Sequence, residues 1–362
     1  MKSKNPLLWL IPLILLLLLV PFLVPSALTY AGAEEADLPV YSPVELDNPH
    51  PEPLLPLPGA KTPNPTPYKA NPAGFARDDA TGAVKEYRDG TIYVKIESRV
   101  VNNTKVLFTW IQIADPSQLR TFVTGETNPV RLADKIDAIV AINGDWYSGR
   151  PEGTVYRNAV LMRPPKSVQA RYDQLIIDDE GNFHILRRPE NDAEAFAPYE
   201  GFIMHSFIFG PGLVIDGKLM TDDTETFEKN RYGSGAGMGL DKKAQRQAIC
   251  QMGSLSYLII TTEGPNESKG GGFTATELAE LAYNMGAVNA YNLDGGNSTC
   301  LVVDGVKMNR FGKGGVRNAT DLIYFITAEE PPVVTEAPTE APTESPAVPA
   351  APETETEGSI QP

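Results

Sequence analysis

Beyond residue 90 the chain alternates between short apolar runs, rich in β-branched and aromatic residues, and clusters of Gly, Asn and Asp. Ile92–Glu97 (IYVKIE) and Val106–Ile113 (VLFTWIQI) read as two strands, with Asn102 and Asn103 as the turn of a hairpin. Asp137–Asn143 (DAIVAIN) follows a short helical phrase and is apolar enough for a central strand. Gln174–Asp178 and Phe183–Arg187 flank Asp179-Glu180-Gly181-Asn182, a second hairpin, and Gly212–Leu219 bends at Asp216-Gly217. Ser256–Thr262 (SYLIITT) runs into a glycine-rich loop from Gly264 to Gly272. The period then changes: Thr274 and Glu277 form a capping box, Leu278, Leu281, Ala282 and Met285 share one helical face, and Gly286 ends the helix. Ala290–Leu293 stops at Asp294-Gly295-Gly296, and Cys300–Val303, the Asp304-Gly305 turn and Leu322–Phe325 complete the pattern. One strong helix among many hairpins predicts an α+β fold: a single domain built on a mixed, largely antiparallel twisted sheet with few helices.

This pattern covers only residues 75–327 of the 362. Residues 1–30 place Lys2 and Lys4 ahead of an apolar run, LLWLIPLILLLLLVPFLVPSAL, that is long enough to cross a bilayer. Ala31-Gly32-Ala33 also fits the small-x-small rule for signal cleavage, so the segment reads as a signal peptide or a membrane anchor. Either way the remainder is extracytoplasmic, secreted or held at the cell membrane. Residues 31–74 form a proline-rich spacer expected to be extended. Residues 328–362 form an acidic Pro/Thr/Glu-rich tail expected to be disordered.

Charge follows the same division. Of the net −15, residues 329–362 contribute eight glutamates and no base, and residues 31–60 six acids and no Lys or Arg. The domain is thus nearly neutral, and nothing in it resembles the basic footprint a nucleic-acid binder needs. Cys250 and Cys300 are too few for a disulfide framework; they read as two buried thiols or as one pair.

Candidate chemistry concentrates at two strand ends. At the first, Asn143-Gly144-Asp145-Trp146-Tyr147 delivers two polar side chains around a glycine free to take an unusual turn. The second is Asn292-Leu293-Asp294-Gly295-Gly296-Asn297-Ser298-Thr299, where adjacent glycines expose backbone N–H groups beside acceptors and donors. It has neither the lysine and spacing of a P-loop nor the acidic spacing of an EF-hand. Each phrase is also compatible with an ordinary tight turn. His184 reads as structural, His205 as structural or catalytic, and Arg246 as an anion contact or a surface ion pair. No zinc-site spacing or Gly-x-Ser-x-Gly elbow is present.

Taken in order, seven phrases resemble the phosphodiester glycosidase family, which includes uncovering-enzyme-like domains and bacterial exopolysaccharide-related proteins. They are Asn143 to Tyr147; His205-Ser206-Phe207 with Gly210-Pro211; Gln245 to Gln251; Ile259 to Gly264; Gly272 to Ala279; Asn292 to Ser298; and Arg317, Asp321 and Phe325 at the close. The sequence departs from the family at Cys250 (glycine there), Glu263 (aspartate), Pro265 (arginine), and Asn297 and Thr299 (glycine and serine).

The resemblance implies hydrolysis of the glycosidic bond of sugar-1-phosphate diesters, in wall or surface polysaccharide. Asp294 would be the principal catalytic carboxylate, with Asp145 or Glu263 as a second and His205 as an acid or phosphate donor. A lone base with water is equally compatible, since phosphate is a good leaving group. Arg246 would clamp the phosphate, while Asn143, Gly144, Asn292, Gly295, Gly296, Asn297, Ser298 and Thr299 would hold ring or phosphate. No cofactor is required, and a divalent ion among Asp145, Glu263 and Asp294 is compatible with the residues. The alternative is a non-catalytic cell-surface module that binds glycans through the same pocket.

Overall fold

The computed structural model describes residues 38–52, 54–63, 65–221, 239–264, 271–310 and 315–330. The apolar N-terminal segment, most of the acidic tail and Pro265 lie outside the described residues. Among the described residues no helix is long and apolar enough to cross a membrane.

Among the described residues every strand pairing is antiparallel. The larger sheet has nine strands; its centre is Thr104–Ile113, Ser256–Thr262, Arg246–Gly253 and Asn289–Asn292, in that order. The second has five: Val306–Lys307, Leu301–Val303, Val140–Asn143, Ala319–Phe325 and Leu119–Thr127. A three-stranded sheet (Phe183–Leu186, Gln174–Asp178, Ile203–Phe207) and the hairpin Val155–Arg157/Val160–Arg163 complete the domain. The α+β reading therefore holds.

The strands are apolar on both faces because each sheet is covered on both. Leu107, Ile111, Ile249, Ile259 and Tyr291 meet Val140, Ile142, Leu301, Ile323 and Phe325 in the core between the two large sheets. Alternate residues of the nine-stranded sheet, Phe108, Ala248, Leu258, Ile260 and Ala290, face the helix Ala275–Asn284 through Leu278, Ala279 and Ala282. Ala141, Val302, Leu322 and Tyr324, on the far side of the five-stranded sheet, face the helix Pro129–Lys135 through Leu132 and Ala133. The order is helix, sheet, sheet, helix, the arrangement that buries continuous apolar runs rather than alternating ones. Cys250 and Cys300 are free and buried in the two different outer layers, so they serve as small apolar side chains.

The local signals act as expected. Asn102 and Asn103 both take positive φ (48° and 56°), as a two-residue hairpin turn demands. Thr274 and Glu277 close the capping box of Ala275–Asn284. Two strands, Leu119–Thr127 at the edge of its sheet and Arg246–Gly253 inside the larger one, escape the pattern because they bury polar residues. Gln247 Nε2 donates to Thr261 Oγ1 at 3.0 Å, and Gln251 Oε1 accepts from the Phe183 N–H at 3.0 Å. Buried amides with partners are tolerated where unpaired ones would not be.

Residues 38–74, a spacer by composition, lie against the domain. Tyr41 stacks on Trp110 with centroids 5.5 Å apart, and Leu46, Leu55 and Ala60 are buried. The Ala60 carbonyl accepts from the Val123 N–H at 2.9 Å, on the outer side of the Leu119–Thr127 strand. The fully buried guanidinium of Arg120 donates to Ser117 O (2.7 Å), Pro56 O (2.9 Å) and Pro65 O. Prolines have carbonyls but no N–H, so a cation that only donates is their natural partner. Arg120→Ala should cost about 3 kcal/mol, through buried carbonyls left without donors. It should also make residues 38–74 the first site of protease nicking; denaturant titration and limited proteolysis measure both.

Candidate active site

The two phrases singled out above are structural counterparts. A helix ends at Lys135, a strand occupies Val140–Asn143, and a 3-10 turn Tyr147–Gly149 follows. The bounds Asn284, Asn289–Asn292 and Gly296–Ser298 repeat this series at one constant displacement along the chain. Both helices hand over through a positive φ, at Asp137 (50°) and Gly286 (82°). Each strand then ends in Asn-x-Asp: Asn143 and Asp145, Asn292 and Asp294. The strands belong to different sheets, and their ends are tied together by Asn143. Its Nδ2 donates to the Asp294 carbonyl at 2.8 Å, and its Oδ1 accepts from the Cys300 N–H at 3.0 Å.

At this junction lies a shallow open pocket lined by Asn143, Gly144, Trp146, Asp294, Ser298 and the run Arg317–Asp321. Asp294 is partly buried, and burial raises its carboxyl above the usual range. The Ser298 hydroxyl, the charges of Arg317 and Arg150, and the Gly295 N–H oppose that rise. Arg317 stands exposed at the rim, its N–H on the Asn297 carbonyl at 2.9 Å. Gly296 takes a φ of 60°. A Cβ on Gly295 would meet the Gln245 carbonyl at 2.9 Å, so the loop closes onto Arg246–Gly253 only without a side chain there.

Beneath the pocket sits a buried charge cluster. Arg157 Nη2 donates to Asp145 Oδ1 at 2.8 Å, while Arg157 Nε and Nη2 reach Asp321 Oδ2 at 3.2 and 2.8 Å. Its Nη1 donates to the Ser206 and Tyr156 carbonyls, and the Phe207 ring lies 4.4 Å from the guanidinium carbon. Asp145 Oδ2 accepts from the Ile208 N–H at 2.7 Å. Two carboxylates thus share one cation away from water. Asp321 is pushed upward by burial and, against the pull of Arg157, by the Asp145 charge. Gly144 explains itself here: a Cβ at that position would fall far inside contact distance of the Asp321 carboxylate. The unusual backbone of the turn belongs instead to Trp146, at φ 55° and ψ 42°.

The other expected residues are dispersed. His205 is fully buried; its Nδ1 accepts from the Asn158 N–H at 3.2 Å, which leaves Nε2 to donate to the Leu119 carbonyl at 3.2 Å. Burial and the nearby Arg157 and Arg120 push it down to about 3, so it stays neutral and does not line the pocket. Glu263 is buried behind Lys105 (3.7 Å) and the Arg310 N–H (3.2 Å). Arg246, expected to face an anion, donates to the carbonyls of Phe273 (3.0 Å), Gly239 (2.8 Å) and Lys242 (2.8 Å) and braces the loops around the glycines. Asn292 Nδ2 donates to the Gly210 carbonyl at 2.8 Å. Asn297 is exposed and Thr299 buried. Among the described residues no group of three or more His, Cys, Asp or Glu side chains has a metal-holding arrangement. Sequence reasoning left Arg317 and Asp321 without a role, although both sit in the closing phrase. It missed Arg157, which no motif contains.

A twisted antiparallel α+β domain with a carboxylate pocket at the Asn-Gly-Asp and Asp-Gly-Gly loops defines a class, and the comparisons identify it. The phosphodiester glycosidase family profile matches residues 137–326, a span that contains every pocket residue, and the chain belongs to that family. A curated relative, the SPbeta prophage-derived uncharacterized protein YomE of Bacillus subtilis (strain 168), is 27% identical over 212 residues, 58% of this chain and 31% of the relative. The chain therefore spans about a third of that protein's length. Among solved structures, the catalytic domain of zebrafish N-acetylglucosamine-1-phosphodiester alpha-N-acetylglucosaminidase, auto-inhibited by its pro-peptide, superposes with a TM-score of 0.52 at 14% identity. That match covers 70% of this chain and 91% of the zebrafish one. A hypothetical protein from Synechocystis gives 0.50 at 17% identity, over 66% and 62% of the two chains. At such identities the structural likeness speaks for the fold alone.

The raised carboxyl of Asp294 makes a stability prediction. The native state holds its proton more tightly than the unfolded chain does. Its contribution is therefore favourable below the ordinary carboxylate pKa and is lost as pH rises through the raised value. Asp294→Asn, which imitates the neutral form, should raise Tm at pH 7, and the gain should shrink towards pH 3. Thermal unfolding of both proteins across that range checks it.

Proposed function

We propose that this protein is an extracytoplasmic hydrolase that cleaves the glycosidic bond of sugar-1-phosphate diesters in wall or surface polysaccharide. The observation that carries the reading is Asp294: a carboxylate with a raised pKa, open to a pocket, with Ser298 beside it and the cation of Arg317 at the rim. Membership of the phosphodiester glycosidase family supports the reaction class, and the activity in the zebrafish enzyme's name fits the same bond. The lysines and apolar run at the N-terminus support the extracytoplasmic address.

The chemistry follows from the leaving group. A phosphate monoester departs as a stable anion, so the reaction needs a base for water more than an acid for the leaving oxygen. Asp294 takes a proton from water, the water oxygen bonds to the anomeric carbon, and the carbon–oxygen bond to phosphate breaks with its electron pair on the phosphate. A raised pKa makes Asp294 a stronger base for that step. Arg317 balances the phosphate charge, and its exposure suits an aglycone that extends into solvent. Ser298 faces the pocket as a ring contact, while Asn143, its amide spent on the Asp294 carbonyl and the Cys300 N–H, holds the two loops in register. Asp145, spent on Arg157 and the Ile208 N–H, shapes the floor and performs no proton transfer. The glycan-binding alternative keeps one observation in its favour, the exposed Trp146 at the same pocket.

The test is release of sugar from a panel of sugar-1-phosphate diesters, with and without chelator. Wild type should turn over, and Asp294→Asn should lose a factor on the order of 10²–10⁴. Arg317→Ala should raise KM for diesters while leaving thermal stability unchanged. Sensitivity to chelator would add a divalent ion to the site. No turnover across the panel would favour the binding module.

A further inference from the structure

Trp146 has a conformation and an exposure that packing does not explain. Among the described residues with positive φ other than glycine, most are Asn or Asp, which tolerate the left-handed region, and Trp146 is the one aromatic. Holding a bulky residue there is unfavourable and persists only where the surroundings enforce it. The usual return for an awkward aromatic is complete burial, yet Trp146 is 42% exposed.

The surroundings hold the indole in place. The Gly149 N–H donates to the Trp146 carbonyl at 3.0 Å, closing the 3-10 turn back on the ring. Gly149 has no side chain, and a Cβ there would lie far inside contact distance of indole atoms Cε2, Cζ2 and Cδ2. The ring thus rests against the backbone of its own turn with part of it exposed. It lines the same pocket as Asn143, Asp294, Ser298 and Thr320. One flat apolar surface beside hydrogen-bonding groups matches a pyranose, whose ring C–H groups form an apolar face and whose hydroxyls point outward. A phosphate has no apolar face and gains nothing from the indole.

We propose that Trp146 is the stacking platform for the sugar ring and that Gly149 is a positioning residue which keeps it in place. The assignment rests on the hydrolase reading for its substrate class, but it concerns recognition of the sugar and not the bond-breaking step. It divides the ligand: the pyranose lies on Trp146, and the phosphate extends to Arg317. An aglycone beyond the phosphate does not touch the indole, so selectivity belongs to the sugar.

The chain has three tryptophans, and of the others Trp110 is buried against Tyr41 while Trp9 lies in the N-terminal apolar run. The difference in indole emission between the full-length chain and its Trp146→Phe variant therefore reports on Trp146. Saturating methyl glycosides of glucose and N-acetylglucosamine should shift or quench emission of wild type and of Asp294→Asn, and inorganic phosphate should not. In turnover, Trp146→Asn, which keeps the left-handed backbone without a ring, should raise KM about 3- to 10-fold with kcat much less affected. Trp146→Phe should recover part of the loss, and Gly149→Ala should raise KM in the same direction. Emission unmoved by any glycoside overturns the platform whether or not the protein turns over. An unchanged KM in Trp146→Asn, or a response to phosphate alone, overturns it equally. Emission that responds to glycosides in a protein without turnover keeps the platform and removes the hydrolase.

Discussion

The guanidinium of Arg157 holds together the part of the molecule on which everything at the pocket depends. It joins Asp145, in the turn after one strand, to Asp321, in the strand beside it, and reaches the Ser206 carbonyl on the three-stranded sheet. Removing either partner from such a buried pair would leave an uncompensated charge, a cost of about 3–5 kcal/mol. The arrangement is thus less a source of stability than a rule about register: the strands can meet only with these three side chains aligned. Gly144 is part of the same constraint, since the Asp321 carboxylate occupies the space its side chain would need.

Above that cluster the fold applies one local design twice. A helix, a turn through positive φ, a short strand and a 3-10 turn lead to Asn143-Gly144-Asp145 and again to Asn292-Leu293-Asp294. The two aspartates arrive by equivalent routes and meet different surroundings. Asp145 turns onto Arg157 and the Ile208 N–H, whereas Asp294 stays at the pocket with a hydroxyl and a rim cation. Asn143 couples the two copies through the Asp294 carbonyl, so the position of the open carboxylate depends on the closed one.

Legibility in the sequence tracked the range of the interaction. The Asn102-Asn103 turn, the Thr274–Glu277 box and the apolar strands were readable because each rests on neighbours within a few residues. Strand Arg246–Gly253 was not, since its buried glutamines are acceptable only with Thr261 and Phe183 from elsewhere. Among the site residues, Asp294, Asn143, Gly144 and Ser298 do line the pocket, but His205, Glu263 and Arg246 turn into hydrogen-bond networks of the interior. A polar residue next to a glycine is a common feature of sites and of buried braces, and its partners tell the two apart. The proline-rich stretch makes the same point: its composition suggests a free spacer, while its leucines and carbonyls find apolar surface and Arg120.

By itself the sequence determined the α+β class, the hairpin turns, the capped helix and the two loops where polar groups gather. These follow from turn chemistry and from side-chain period, which act over a handful of positions. The tertiary structure alone decided which of those groups face the pocket. Arg157 and Asp321 stand 164 residues apart in the chain, and the Asn143 side chain meets the Asp294 carbonyl across 151. The protonation and exposure of a carboxylate depend on what surrounds it in space, and neighbours that far away in sequence leave no local trace.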